Sequence, residues 1–173
     1  FRGFFKNSEL LVTESANSIS VKIISGYHEK DLDTHFRNYL GDDPFSITNF
    51  NELLEDNILS PVINRYPRLR ILKQDPWECM VGFITSSCSN LERIKYHMKL
   101  LRDINQNIFP EPNKLYKIGE NKLRELGFGF RAPYLINLSK AILDEEISIY
   151  DLNNSSYDIA LDKLTKIKGI GRK

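Results

Sequence analysis

Apolar and polar residues alternate with period two in Ile19-Ser-Val-Lys-Ile23, the pattern of a strand with one buried face. Leu10-Leu-Val-Thr13 is also strand-like, and the polar stretch Glu14-Ser-Ala-Asn-Ser18 between the two predicts a hairpin. Phe1, Phe4 and Phe5 point to an earlier strand. After Gly26 the period lengthens. Leu32, His35, Phe36 and Tyr39 fall on one helical face, and Gly41 with Pro44 supplies the stop signal. No strand is predicted beyond this point. Short helices are expected at about 47–55 and 58–66, and Asp75-Pro-Trp-Glu78 marks a further helix start: Asp75 suits the N-cap, Pro76 the first helical position, and Glu78 a capping-box partner. The body of that helix, Trp77 to Ile84, is apolar nearly all round, which places Trp77, Met80 and Phe83 in the core. A helix at about 90–105 carries Leu91, Ile94, Met98 and Leu101 on one stripe. Gly127-Phe-Gly-Phe130 reads as a loop before a helix at about 131–144, and Ser155-x-x-Asp158 as the cap of a helix bearing Tyr157, Leu161 and Leu164. The fold class is therefore α+β: a small N-terminal antiparallel β domain, residues 1–43, packed on an all-α domain, residues 44–173.

With 173 residues, 41% of them hydrophobic, the chain has enough apolar material for one core or two small ones. No apolar run approaches the roughly 18 residues of a membrane span, and no signal segment is evident, so an intracellular, membrane-free protein is expected. Cys79 and Cys88 lack CxxC spacing and a histidine cluster; reduced thiols are expected, with neither a metal nor a disulfide. A net charge of +1 confines any nucleic-acid contact to local patches. One is Arg65-Tyr-Pro-Arg68-Leu-Arg70-Ile-Leu-Lys73; the other is residues 161–173. By composition alone, each is more often a solvated face than a binding surface.

The second patch ends in Lys166-Ile-Lys-Gly-Ile-Gly-Arg-Lys173, the opening of a helix-hairpin-helix motif. Gly169 and Gly171 permit positive φ and leave backbone N–H groups uncovered for a phosphate, with Arg172 beside them. Such a turn holds the nucleic-acid backbone and carries no sequence information. The motif's second helix is expected beyond Lys173, and sequence is expected before Phe1, so that the intact native mass should exceed 20.1 kDa.

Three segments in order resemble the 8-oxoguanine DNA glycosylase and abasic-site lyase family of the helix-hairpin-helix superfamily. They are Arg70-Ile-Leu-Lys-Gln-Asp-Pro-Trp-Glu-Cys79, Leu126-Gly-Phe-Gly-Phe-Arg131 and Ile167-Lys-Gly-Ile-Gly-Arg-Lys173. Phe83-Ile-Thr-Ser-Ser87 and His35-Phe-Arg-Asn-Tyr-Leu40 extend the similarity over most of the chain. The resemblance implies removal of 8-oxoguanine from damaged double-stranded DNA by a monomer that needs no cofactor. By motif position it implies that Phe130 wedges beside the flipped nucleotide, that Arg131 and Arg93 hold the estranged cytosine, and that Lys173 is the catalytic nucleophile.

Those roles make chemical sense. A base inside a duplex must be extruded before its glycosidic bond is reachable, at a cost of about a few kcal/mol. A phenyl face stacks on bases, and a guanidinium matches acceptors on an orphaned base edge. A neutral lysine amine can displace the base at C1′ and leave a Schiff base. Its ordinary pKa of about 10.4 must fall towards about 7–8 for this, and neighbouring Arg172 and Lys168 with partial burial push that way. Read without the resemblance, Phe130 is a core residue, both arginines pair with surface carboxylates, and Lys173 is a solvated charge. The family's catalytic aspartate and its lesion pocket fall outside this sequence. Cys88 stands where the family commonly has an asparagine that fills the vacated gap, Pro133 replaces a basic residue, and Phe130 replaces a frequent tyrosine. The alternatives are a glycosylase for alkylated or other damaged bases, and a non-catalytic DNA-binding module.

Overall fold

The computed structural model describes residues 2–5, 8–15, 18–26, 32–41, 53–66 and 72–172. Phe1, Pro44, most of the helix expected at 47–55, the centre of the first basic patch (67–71) and Lys173 lie outside the described residues. The chain divides into two compact units, one of Phe1–Gly26 with Asp75–Lys173 and one of Tyr27–Gln74.

Strands β1 (Arg2–Phe5), β2 (Ser8–Glu14) and β3 (Ile19–Gly26) form an antiparallel sheet in the order β1-β2-β3. The expected hairpin is there: Leu10 faces Ile23, Val12 faces Val21, and Ser15 N–H donates to Ser18 C=O across the turn at 2.9 Å. In the smaller unit, α1 (Leu32–Tyr39) buries Phe36 and ends at Gly41, whose φ of 71° is costly for any other residue. Of the two short helices expected next, the second is α2 (Ser60–Arg65), and residues 54–59 form turns.

The remaining helices build the core of the larger unit: α3 (Pro76–Ser86), α4 (Leu91–Asp103), α5 (Pro112–Glu125), α6 (Ala132–Leu143) and α7 (Tyr157–Thr165). Asp75 caps α3 by accepting from Glu78 N–H at 2.9 Å. The Glu78 carboxylate does not close the box; it pairs with the buried Arg102 of α4 at 2.5 Å. Burial pushes the Glu78 carboxyl up, and Arg102 opposes that shift. Trp77 is buried and donates its indole N–H to Pro110 C=O at 2.8 Å. Only one stripe of α3 is covered, however: Trp77, Val81, Ile84 and Thr85 face inward, whereas Phe83 is exposed and Met80 half-buried.

The stripe of α4 is likewise rotated from the expected one. His97 and Leu101 are buried and Leu91 is exposed, because the polar His97 takes an inward position. Helix α6 presents Ala132, Leu135, Leu138 and Ala141 to the core, each fully or nearly fully buried. Each leucine of this kind stabilises the fold by about 1.5–3 kcal/mol. Pro133 fits the first turn of α6, where its missing N–H has no intrahelical acceptor to lose. Helix α7 starts after Ser156 rather than Ser155, with no side-chain cap, and its Tyr157 is exposed. No helix among the described residues is long and apolar enough to cross a membrane.

Candidate nucleic-acid interface

Two loops and one turn of the larger unit carry the sequence-selected residues other than Lys173. The first loop joins α3 to α4. Cys88 there has φ of 48°, a left-handed conformation that asparagine tolerates better than most side chains. Asn90 then caps α4, its side-chain oxygen accepting from Arg93 N–H at 2.9 Å. This cap fixes Arg93 in the first turn of the helix. Its guanidinium is exposed, and no side-chain hydrogen bond or ion pair holds it among the described residues. The Cys88 and Cys79 thiols are free and exposed.

The second loop is Gly127 to Arg131. Gly127 and Gly129 have φ of 88° and 57°, and the reversals they permit send alternate residues in opposite directions. Phe128 is fully buried, whereas Phe130 is 47% exposed. Phe130 is therefore not a core residue. Arg131, in the short 3-10 turn before α6, folds back under the loop and is only 3% exposed. Its Nε donates to Ser87 C=O at 2.8 Å, and one terminal nitrogen donates to Ser87 C=O and, at 3.0 Å, to Cys88 C=O. The same guanidinium lies 4.5 Å from the centre of the Phe130 ring. No carboxylate among the described residues is involved. Arg131 thus ties the two loops together and backs the exposed ring.

Arg93 and Arg131 are near enough to repel each other, and both act on His97. Burial depresses the Arg131 pKa, and Arg93 adds to the effect. His97, one helical turn after Arg93, is 2% exposed and stacks on Phe128 at 4.5 Å. Its Nδ1 has no hydrogen-bond partner among the described residues. Burial, then Arg93 and Arg131, lowers its pKa. A histidine protonated less readily in the folded than in the unfolded state gives stability that is whole above its unfolded pKa of about 6.5 and declines as pH falls below it. Urea unfolding at pH 7.5, 6.5 and 5.5 should show this decline, and His97→Asn should remove part of it. An unchanged pH slope in the variant would contradict the assignment.

The turn follows α7. Ile167 is buried, and Ile170 N–H donates back to Ile167 C=O at 3.0 Å. Gly169 has φ of 110°, as the sequence pattern requires; Gly171 does not adopt positive φ, and it is exposed with open space around it. Arg172 is also exposed. A Cβ added to Gly169 would lie 2.5 Å from Tyr134 Cβ and 2.9 Å from Tyr134 Cδ1. Tyr134 also meets the Phe130 ring edge-on, with centroids 6.3 Å apart. Neither Tyr134 nor His97 was selected from the sequence. For Tyr134 the available signal was its i+4 spacing from Phe130.

No family model matches the chain. Individual proteins do. The probable N-glycosylase/DNA lyase of Methanothermobacter thermautotrophicus is 30% identical over 165 residues, covering 78% of this chain and 53% of that protein. Curated proteins 30% identical to this chain are N-glycosylase/DNA lyases. The N-glycosylase/DNA lyase of Saccharomyces cerevisiae is 30% identical over 143 residues, covering 73% of this chain and 37% of the yeast protein. The chain thus spans about half, or less, of these curated N-glycosylase/DNA lyases. Its fold is that of the Clostridium acetobutylicum 8-oxoguanine glycosylase/lyase solved with duplex DNA containing cytosine opposite 8-oxoguanine. The TM-score is 0.78 at 22% identity, over 98% of this chain and 61% of that one.

Proposed function

We propose that the protein removes 8-oxoguanine from duplex DNA and then cleaves the strand at the abasic site. The observation that carries this reading is the 30% identity to an N-glycosylase/DNA lyase across 78% of the chain. The local geometry is consistent with it. An exposed ring on a loop anchored by a buried guanidinium, a second guanidinium with no side-chain partner among the described residues and a positive-φ glycine turn suit extrusion of a nucleotide.

In this mechanism the hairpin at Gly169 and Gly171, with Arg172, holds the phosphate backbone, and Phe130 wedges beside the position that the lesion vacates. Arg93 donates to the opposite cytosine, joined by the one Arg131 terminal nitrogen that makes no closer contact than 3.5 Å to Phe128 C=O, and Cys88 borders the vacated gap. The neutral Lys173 amine attacks C1′; a C–N bond forms as the glycosidic bond breaks, and the departing base takes up a proton. Ring opening gives the Schiff base. Loss of a C2′ proton then expels the 3′ phosphate by β-elimination. These steps need no cofactor.

The full-length protein should release 8-oxoguanine from an 8-oxoguanine:cytosine duplex and give a covalent adduct with borohydride. Release of an alkylated base alone, or equal binding of intact and damaged duplex without base release, would refute the proposal. Arg131→Ala should lower the preference for cytosine over adenine opposite the lesion by about tenfold, since a single hydrogen bond from a charged donor is worth about 1.5–3 kcal/mol. It should also lower stability by about 1–3 kcal/mol, because the Ser87 and Cys88 carbonyls lose their donor. Excision assays with each opposite base, and urea melts, check the two parts separately.

A further inference from the structure

We propose that Tyr134 is a positioning residue, whose ring sets the separation between the Phe130 wedge and the hairpin turn that leads to Lys173. This rests on the glycosylase/lyase reading above. Three observations meet at this ring. Tyr134 lies in the first turn of α6, whose other side is locked into the core by Leu135 and Leu138, so its backbone is fixed. The near end of its side chain is pressed against the Gly169 backbone closely enough that no residue with a Cβ fits there. The plane of the ring meets Phe130 edge-on at 75°.

A contact series therefore runs from the Ser87 and Cys88 carbonyls through Arg131 to Phe130, and from Phe130 through Tyr134 to Gly169. Two of its members are rigid rings without long flexible stems. Such a spacer transmits position. If Phe130 enters the base stack while the turn holds the backbone, the distance between these two elements decides where the extruded sugar sits relative to the lysine amine. Misplacement of a reacting group by about 1 Å costs about 100-fold in rate.

The ring, and not the hydroxyl, carries this role. The Tyr134 hydroxyl makes no hydrogen bond among the described residues. Tyr134→Phe therefore separates the two possibilities, and Tyr134→Ala removes the spacer. Single-turnover base release from an 8-oxoguanine:cytosine duplex should be measured with the full-length protein at saturating concentration, beside its affinity for undamaged duplex. Tyr134→Ala should slow release by about 10- to 100-fold. Affinity should change by less than about threefold, since the backbone contacts of the turn remain. Tyr134→Phe should stay within about threefold of wild type in both measurements.

Tyr134→Leu keeps apolar bulk against the core and loses only the flat ring, so it serves where the alanine variant does not fold. It should melt near wild type and release base slowly. A folded leucine or alanine variant with the wild-type rate, or a phenylalanine variant as slow as alanine, would overturn the proposal. A wild-type protein that releases no base would overturn the functional reading itself and this inference with it, an outcome distinct from a fast Tyr134 variant.

Discussion

Lys173→Gln is expected to abolish the borohydride-trapped adduct between the full-length protein and 8-oxoguanine duplex, and to slow strand cleavage by about 1,000-fold or more. Glutamine is one bond shorter than lysine and keeps a polar tip, but it has no basic lone pair, so it can neither displace the base at C1′ nor form an imine. Affinity for the duplex should fall far less. Contacts to the phosphate backbone are distributed over several groups, and losing one cation weakens binding about uniformly across sequences. Lys168→Gln and Lys166→Gln are the matched controls. Lys166 already pairs with Asp162 at 2.6 Å, one turn back on the exposed face of α7, so it is not a free amine. An adduct that survives Lys173→Gln and disappears in Lys168→Gln would move the nucleophile five residues upstream in the same turn.

Gly169→Ala is expected to disrupt the turn without any change in the chemical groups it presents. Two costs add. An L-residue at φ of 110° is strained by about 1–3 kcal/mol. The new methyl group would also enter the space held by Tyr134 Cβ and Cδ1, at 2.5 and 2.9 Å. Those atoms cannot swing aside as a flexible chain end could, because they lie at the base of a side chain in α6. Overpacking of this kind costs about 1–3 kcal/mol. The sum, about 2–6 kcal/mol, is a large part of a typical folding free energy of about 5–15 kcal/mol. A thermal melt lowered by several degrees, with loss of duplex binding, would agree. Gly171→Ala is the contrast. That site has open space and no positive φ, so the same methyl group should leave stability within about 0.5 kcal/mol. Equal effects of the two substitutions would mean that the turn does not adopt this geometry.

The sequence made the sheet and most helix starts legible, for reasons visible in single residues. Ile19 to Ile23 shows the period of a strand, and Asp75 with Pro76 can hardly open anything but a helix. Which side of a helix faces inward was less legible. Phe83 and Leu91 are apolar but exposed, while the inward place on α4 goes to His97, whose ring stacks on Phe128 from 31 positions on. Helix α5 was not anticipated at all. Gly119, with φ of 80° inside it, splits the period into two runs each too short to stand out.

The candidate interface divides in the same way. Gly127, Gly129 and Gly169 announce reversals, and each has positive φ. Gly171 was assigned the same conformation, yet the turn closes without needing it. The partners of Arg131 could not be read. They are main-chain oxygens 44 and 43 positions away, and no side-chain pattern marks a carbonyl as an acceptor.

That choice of acceptor bears on how the molecule can drift. An anchor made to peptide oxygens is indifferent to the identity of the residues supplying them, so Ser87 can be exchanged for many others while the guanidinium stays in place. Position 88 is narrower. Its left-handed backbone excludes proline and penalises the β-branched types, yet admits cysteine, asparagine and glycine alike. Divergent homologues could therefore differ in the groups offered at this loop's surface while keeping one scaffold beneath it.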